Sequence, residues 1–284
     1  SDNELMAFNE GVVRAYEQNK ITLNELSVCL LISHTGRRPK QIAHTKICDL
    51  DGTKTNKKGE PMYLIHIPRA KQRGEVFRDS FKTFAMTWEL WAVLGAQKKN
   101  SIASVEQVLG YELQEADRAV LPLFPDIEAY EAGQSVHDLR SLLAIDSMHL
   151  RSEQITATLK KAVTAAGIVS ERTGKLLDVV ATRFRYTKGT RAAREGFGLM
   201  VIAELLDHSD IQNVDVYAKN VPEHAQALEL FRRAVELRTD FAEAHFNLAM
   251  ALAELGRRVE ARVHWKRYLE LDPHGAWSAT ARQN

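Results

Sequence analysis

Cysteine is scarce in this chain: Cys29 and Cys48 are the only two among 284 residues. Neither has a partner at metal-ligand spacing, so a disulfide-stapled scaffold and a thiolate zinc site are both excluded, and the two read as buried free thiols. Net charge is almost absent, with 38 basic residues against 37 acidic ones, so bulk charge by itself indicates no polyanionic partner. No apolar run approaches the ~18 residues of a spanning helix. The opening "SDNELMAFNE" has no basic segment leading into an apolar one, and the expectation is a protein with no membrane partner and a cytoplasmic location. The ten histidines contain no H-E-x-x-H or similar ligand pair. No metal and no cofactor are therefore expected, and a metal-dependent nuclease or hydrolase is the weakest of the function classes. Disorder is excluded as well, because 45% hydrophobic and 26% charged residues make an ordinary folded composition.

The charge that is present is unevenly spread. Residues 31–82 hold twelve Lys and Arg against five acids, a net of +7, and "TRFRYTKGTRAAR", 182–194, has five basic residues and no acid. Two such segments can form one polyanion-binding face if the fold brings them together. "LMAFNEGVVRAYEQ" and "LNELSVCLLIS" carry apolar residues at helical spacing, with Thr22 and Glu25 as a capping box at the start of the second. After "SHTG" comes "RRPKQIAHTKICDL", a short helix with Pro39 in its first turn, which puts Arg37 and Arg38 at a loop-to-helix junction. "DGTKTNKKGEP", 51–61, reads as turns, and "MYLIHIPRA" with "KQRGEVFRDSF" as two strands around a charged loop beside Lys71.

Residues 84–181 are mostly helical around the turn-like "PLFPDIEAYEAGQS", with Leu109, Leu113, Leu142, Leu143, Ile155 and Leu159 as core candidates. A helical pattern runs from "TGKLLDVV" to Gly196, and another covers "GLMVIAELLDHSDI". The tail is different in kind. "ALELFRRAVELRTD" and "ARVHWKRYLELDPH" superimpose at a shift of 34, so that Phe231 falls on Trp265 and Leu237 on Leu271. This period resembles tetratricopeptide repeats. The pattern predicts helices over 227–238, 242–255 and 261–271, with Phe231, Leu248 and Trp265 inward and Gly256 at a turn. Nine basic and nine acidic residues over 221–284 add nothing to a DNA footprint, and one and a half repeats need a further surface to stack on or a protein partner.

Within "ELLDHSDIQNVDVYAKN", 204–220, His208 precedes Tyr217 by nine positions and follows Arg185 by 23. Taken with "TGRR" before an amphipathic helix and a lysine at a strand turn, this ordered set resembles the catalytic domain of the tyrosine recombinases, the phage integrase family, over roughly residues 20–222. The resemblance implies a mainly α fold with a small antiparallel β-sheet, followed here by α-α repeat hairpins. It divides the chain into an N-terminal helix or linker, 1–19, a recombinase-like catalytic domain, 20–222, and a helical tail, 223–284. Arg38 matches the first arginine of the family, Lys71 the hairpin lysine with Arg69 and Arg73 close by, Arg185 the second arginine, His208 the box histidine and Tyr217 the nucleophile. Three positions depart from the family: Thr182 stands where it has histidine, Gln41 where it has glutamate, and Asp207 where it has glycine. "HDLRS", 137–141, imitates the histidine-x-x-arginine box but lacks a following histidine and tyrosine at the right distances, and reads as a surface helix cap and ion pair. The segment between Lys71 and Arg185 is long for the family, which suggests an insertion around 100–135.

The chemistry suits phosphodiester transfer. Two guanidinium groups stay charged at any useful pH and can hold the non-bridging oxygens of a pentacoordinate phosphate, and a tyrosyl hydroxyl forms an aryl phosphoester that keeps the bond energy for the reverse step. The resemblance implies site-specific DNA recombination through a 3′-phosphotyrosyl intermediate, on double-stranded DNA and with self-association on it. Arg37, Lys40, Arg69, Arg73, Arg183, Lys188 and Arg191 are the expected DNA contacts. Two alternatives stand beside it: a recombinase-like DNA-binding protein with weak or no turnover, for which Thr182 and Gln41 speak, and a repeat-based protein-interaction scaffold.

Overall fold

The computed structural model describes residues 2–69, 78–195, 197–206, 224–254 and 257–283. Lys71, Arg73, His208 and Tyr217 lie outside the described residues. The chain divides into two compact units, Ser1–Arg185 and Tyr186–Asn284.

The first unit is mainly helical with one three-stranded antiparallel sheet. α1 spans Asp2–Glu17 and α2 spans Leu23–Thr35. α2 starts where the capping box requires: Thr22 Oγ1 accepts from the Glu25 amide at 3.3 Å, and Glu25 returns a carboxylate oxygen to the Thr22 amide at 2.8 Å. Val28, Cys29, Leu31 and Ile32 leave no solvent-facing stripe on it, because α2 is surrounded by α1, by α4 (Trp88–Leu109) and by α7 (Ser152–Ala166). Between these run α3 (Pro39–Ala43), α5 (Glu115–Val120) and α6 (Val136–Ala144). Leu109, Leu113, Leu143, Ile155 and Leu159 are buried in the core, with Leu142 packed at its margin. Burial pushes the Cys29 thiol up, out of reach of thiolate chemistry; Cys48, expected inside, is exposed.

The sheet has the order β1 (Leu50–Thr55), β2 (Pro61–Pro68), β3 (Phe81–Ala85). Ile65 faces Leu50 on one side and Phe84 on the other. β1 was expected as turns. Its residues are mostly exposed and lack alternation; the backbone ladder to β2 holds it as an edge strand, and the ladder slips between Asp51 and Lys54. Gly52 lies in that irregularity, where a Cβ would stand 2.7 Å from the Trp91 ring. The expected turns at 122–135 also differ: Leu121, Leu123 and Phe124 are fully buried, and the stretch is stitched in by Leu123 N to Thr45 O, 2.9 Å, and Leu150 N to Phe124 O, 3.1 Å. The suspected insertion thus supplies core.

Phe8, Val12 and Ala15 of α1, the N-terminal helix, are core residues of the first unit. At the other end the division falls within α8 (Ala181–Arg194), because the next helix, α9 (Leu199–Leu206), shares its core with the tail. The tail helices are α10 (His224–Leu237), α11 (Ala242–Glu254), α12 (Arg258–Leu271) and α13 (Ser278–Gln283). Leu248 and Trp265 are buried, Phe231 packs at the edge, and Ile202, Ala203 and Leu206 of α9 join them. Phe246 meets Trp265 and Tyr268 edge-on at 4.9 Å and 5.1 Å. A Cβ at Gly198 would collide with the Asn247 side chain, so the start of α9 lies hard against α11. Gly256 lies outside the described residues.

α1 is fastened to the loop after α7 by Glu4, whose carboxylate accepts from Arg172 Nη2 at 2.7 Å and from Ser170 Oγ at 2.5 Å. The Arg172 hydrogen bond, against the opposing effect of burial, lowers the Glu4 pKa from 4.5 to about 2. A depressed carboxyl favours the folded state when ionised, so its contribution is present above 4.5 and is lost as pH falls toward 2. Since Arg172 is largely exposed, the contribution is on the order of 1 kcal/mol. Urea unfolding of Glu4→Gln is expected to show that loss at about pH 7, with a shallower decline toward about pH 3 than the parent. Parallel profiles for the two proteins would refute the assignment.

Candidate active site

Three stretches distant in sequence meet around residues 36–41. α2 ends at Gly36, which adopts φ 64 and donates its amide to Ile32 O at 2.7 Å. That left-handed turn is why a glycine stands in "TGRR". The chain then extends through Arg38, the residue capping α3, at φ −69 and ψ 149, and Pro39 begins the helix. Arg38 is half-buried. Its amide is held by Gln41 Oε1 at 3.1 Å, and Gln41 Nε2 donates to Pro68 O at 2.9 Å. Gln41 therefore ties the Arg38 junction to the end of β2.

From there the β2–β3 connection departs. Its base is closed by Arg69 N to Ser80 O at 3.0 Å. Its returning end is held by Arg78, which grips the buried Asp49 with both Nη atoms at 3.1 Å and 2.7 Å and donates to His44 O at 2.7 Å. Lys71 and Arg73 belong to the part of this connection outside the described residues. Arg69 itself is half-buried at the base.

The third stretch is the first turn of α8. Arg185 is 6% exposed, and its Nε donates to Gly36 O at 3.3 Å. Phe184, beside it, stacks edge-on against Phe8 of α1 at 4.9 Å, so α1 and the Gly36 carbonyl together orient the guanidinium. The structure thus brings Arg185 to the loop two residues before Arg38.

The remaining expected residues divide by exposure. Lys40 is exposed; Arg183 is half-buried and donates to Asp178 O. Arg37 is 1% exposed, with its guanidinium over the Phe84 ring at 4.8 Å. Thr182 is exposed, one turn before Arg185. In the second unit Lys188 is half-buried, and Arg191 is exposed and bonded to Glu195 at 2.9 Å. His208 and Tyr217 lie outside the described residues. The look-alike Arg140 is taken up by a two-pronged ion pair with Asp117, at 2.6 Å and 2.9 Å, while His137 is exposed.

A cluster that sequence spacing did not reveal joins His44, Asp146 and His149, whose ligand-capable atoms lie within 4.8 Å of one another. Asp146 and His149 are three apart in "DSMH", and that spacing was the one visible signal. His44 arrives from a hundred residues away, at the C-terminal end of α3.

The Gln41 geometry explains why the amide suits this chain where the family has a carboxylate: Pro68 O requires a donor, and a carboxylate has none. Gln41→Glu should leave Pro68 O without its donor beside a buried negative charge. The expected loss is about 1–3 kcal/mol, read as a lowered urea midpoint that recovers as pH falls and the new carboxyl takes up a proton. An unchanged midpoint at neutral pH would mean that the contact is unimportant.

Residues 99–224 match the phage integrase family, and residues 242–274 match the tetratricopeptide repeat. No curated protein matches the chain. Among solved structures, the crystal structure of XerA recombinase superimposes with a TM-score of 0.49 at 16% identity, over 82% of this chain and 62% of that one. The chain thus spans less than two thirds of that protein's length.

Proposed function

We propose that this protein is a site-specific DNA recombinase that cuts and rejoins strands through a phosphotyrosyl intermediate. The observation that carries the reading is the Arg185 Nε to Gly36 O bond, which holds the second arginine of the family pattern beside the junction bearing the first, in a chain that matches the phage integrase family. The Tyr217 hydroxyl attacks a backbone phosphorus. The bond to the 5′ oxygen breaks, and a 3′-phosphotyrosyl ester and a free 5′ hydroxyl result. Arg38 and Arg185 hold the non-bridging oxygens as charge gathers on them. Lys71 delivers a proton to the leaving 5′ oxygen, and His208 bonds a non-bridging oxygen or takes the tyrosyl proton. Attack by a 5′ hydroxyl of a partner strand reverses these steps.

Lys40, Arg69, Arg73, Arg183, Lys188 and Arg191 serve as phosphate contacts in this reading. Copies of the chain assemble on double-stranded DNA, and the repeat tail offers a protein partner a helical surface. A second reading, a DNA-binding protein with weak turnover, is favoured by Thr182: the family's proton-carrying histidine is here a hydroxyl that does not titrate near neutral pH.

A nicked suicide duplex carrying the cognate site, incubated without added metal, should yield a slow-migrating protein–DNA adduct. Tyr217→Phe should abolish the adduct yet bind DNA as before, with affinity falling as salt rises. Arg185→Ala should lose the adduct and weaken binding. Salt-sensitive binding with no adduct from the parent protein would establish the second reading, and absence of binding would refute both.

A further inference from the structure

The cluster of His44, Asp146 and His149 lies in the first unit, and its interpretation is independent of the recombinase reading. His44 follows the last residue of α3, Asp146 sits in the turn after α6, and His149 precedes α7. The two imidazole rings stack at 4.8 Å with 15° between their planes. The Asp146 carboxylate faces both, with Oδ2 3.8 Å from His44 Nδ1 and Oδ1 3.5 Å from His149 Nε2.

The protonation pattern follows from the neighbours. His149 is 5% exposed, and its Nδ1 lies 2.8 Å from Ala43 O. A carbonyl only accepts, so Nδ1 carries the proton, and in the neutral ring Nε2 is left with its lone pair. That Nε2 is buried and has no hydrogen-bond partner among the described residues. It points at Asp146 Oδ1, 3.5 Å away. A ring nitrogen donating to a backbone carbonyl while the other presents its lone pair is how a metal-binding histidine is commonly oriented.

We infer that His44 Nδ1, Asp146 Oδ2 and His149 Nε2 form a three-ligand site for a divalent zinc ion. Two imidazoles and one carboxylate suit zinc and leave a fourth tetrahedral position to water, whereas magnesium and calcium call for mostly oxygen ligands. Ligand–ligand distances of about 3.3 Å follow from ~2.0 Å bonds at a tetrahedral centre, so the observed gaps close by small side-chain rotations. Lys46 Nζ lies 2.8 Å from Asp146 Oδ1 and secures the carboxylate through the oxygen that the ion does not use. The ion is structural: it pins the far end of α3, six residues after Arg38, to the start of α7.

Full-length protein freed of metal by dialysis against chelator, then titrated with zinc in competition with a chromophoric chelator, should bind one equivalent at this site. His149→Gln and Asp146→Asn should each weaken that binding by at least about 100-fold. Zinc at ~100 times its Kd should raise Tm by about 5–10 °C. His264→Gln, which breaks the second close histidine pair (His245 Nδ1 to His264 Nδ1, 3.0 Å), should leave the equivalent intact. Cobalt(II) should give the intense visible absorption of tetrahedral coordination, lost in Asp146→Asn, the variant that best keeps the side-chain shape if His149→Gln fails to fold. No zinc uptake by the folded parent, or uptake unchanged in both variants, would overturn the inference and leave a proton on His149 as what the cluster holds.

Discussion

The Gly36 carbonyl accepting from the buried Arg185 guanidinium is the contact on which the arrangement of the first unit's basic groups depends. A buried guanidinium cannot be left without hydrogen-bond acceptors, and here a backbone carbonyl takes its Nε. That carbonyl belongs to a left-handed turn that only glycine enters without strain. The same turn directs the chain into Arg38 and the Pro39 helix start, so one backbone geometry both ends α2 and leads into α3. Gln41 extends the constraint to β2, and Arg78 with Asp49 fixes the opposite side of the hairpin. The hairpin's outer loop is thus carried on a base braced at both ends.

Much of this was legible in the sequence because it depends on residues that act locally. Thr22 and Glu25 announce the start of α2 through a reciprocal hydrogen bond, and Gly36 and Pro39 mark a stop and a start. The 34-residue period of the tail reports a stacking geometry that repeats in the chain itself. The ordered spacing of Arg185, His208 and Tyr217 carried the family resemblance, although the last two lie outside the described residues.

What was not legible depends on long-range contact. Edge strand β1 has no amphipathic pattern: beyond Asp51 its residues are exposed, and the ladder to β2 holds them. Leu123 and Phe124 sit among prolines and acids that read as turns, yet backbone bonds to residues 45 and 150 carry them into the core. Arg37 and Arg38 look alike in "TGRR"; only the position of Phe84 tells which of the two turns inward. His44 meets Asp146 and His149 across a hundred residues, and no spacing rule reaches that far.

The α9 face made of Ile202, Ala203 and Leu206 has a bearing on how the protein can be divided. Those side chains find their apolar neighbours in Phe246, Leu248 and Ala249 of the repeat helices, and α9 runs to within two residues of His208. A fragment cut at the recombinase boundary near 222 would strip that face bare and present it to water, an invitation to aggregate. The repeat helices therefore cover the apolar face of α9.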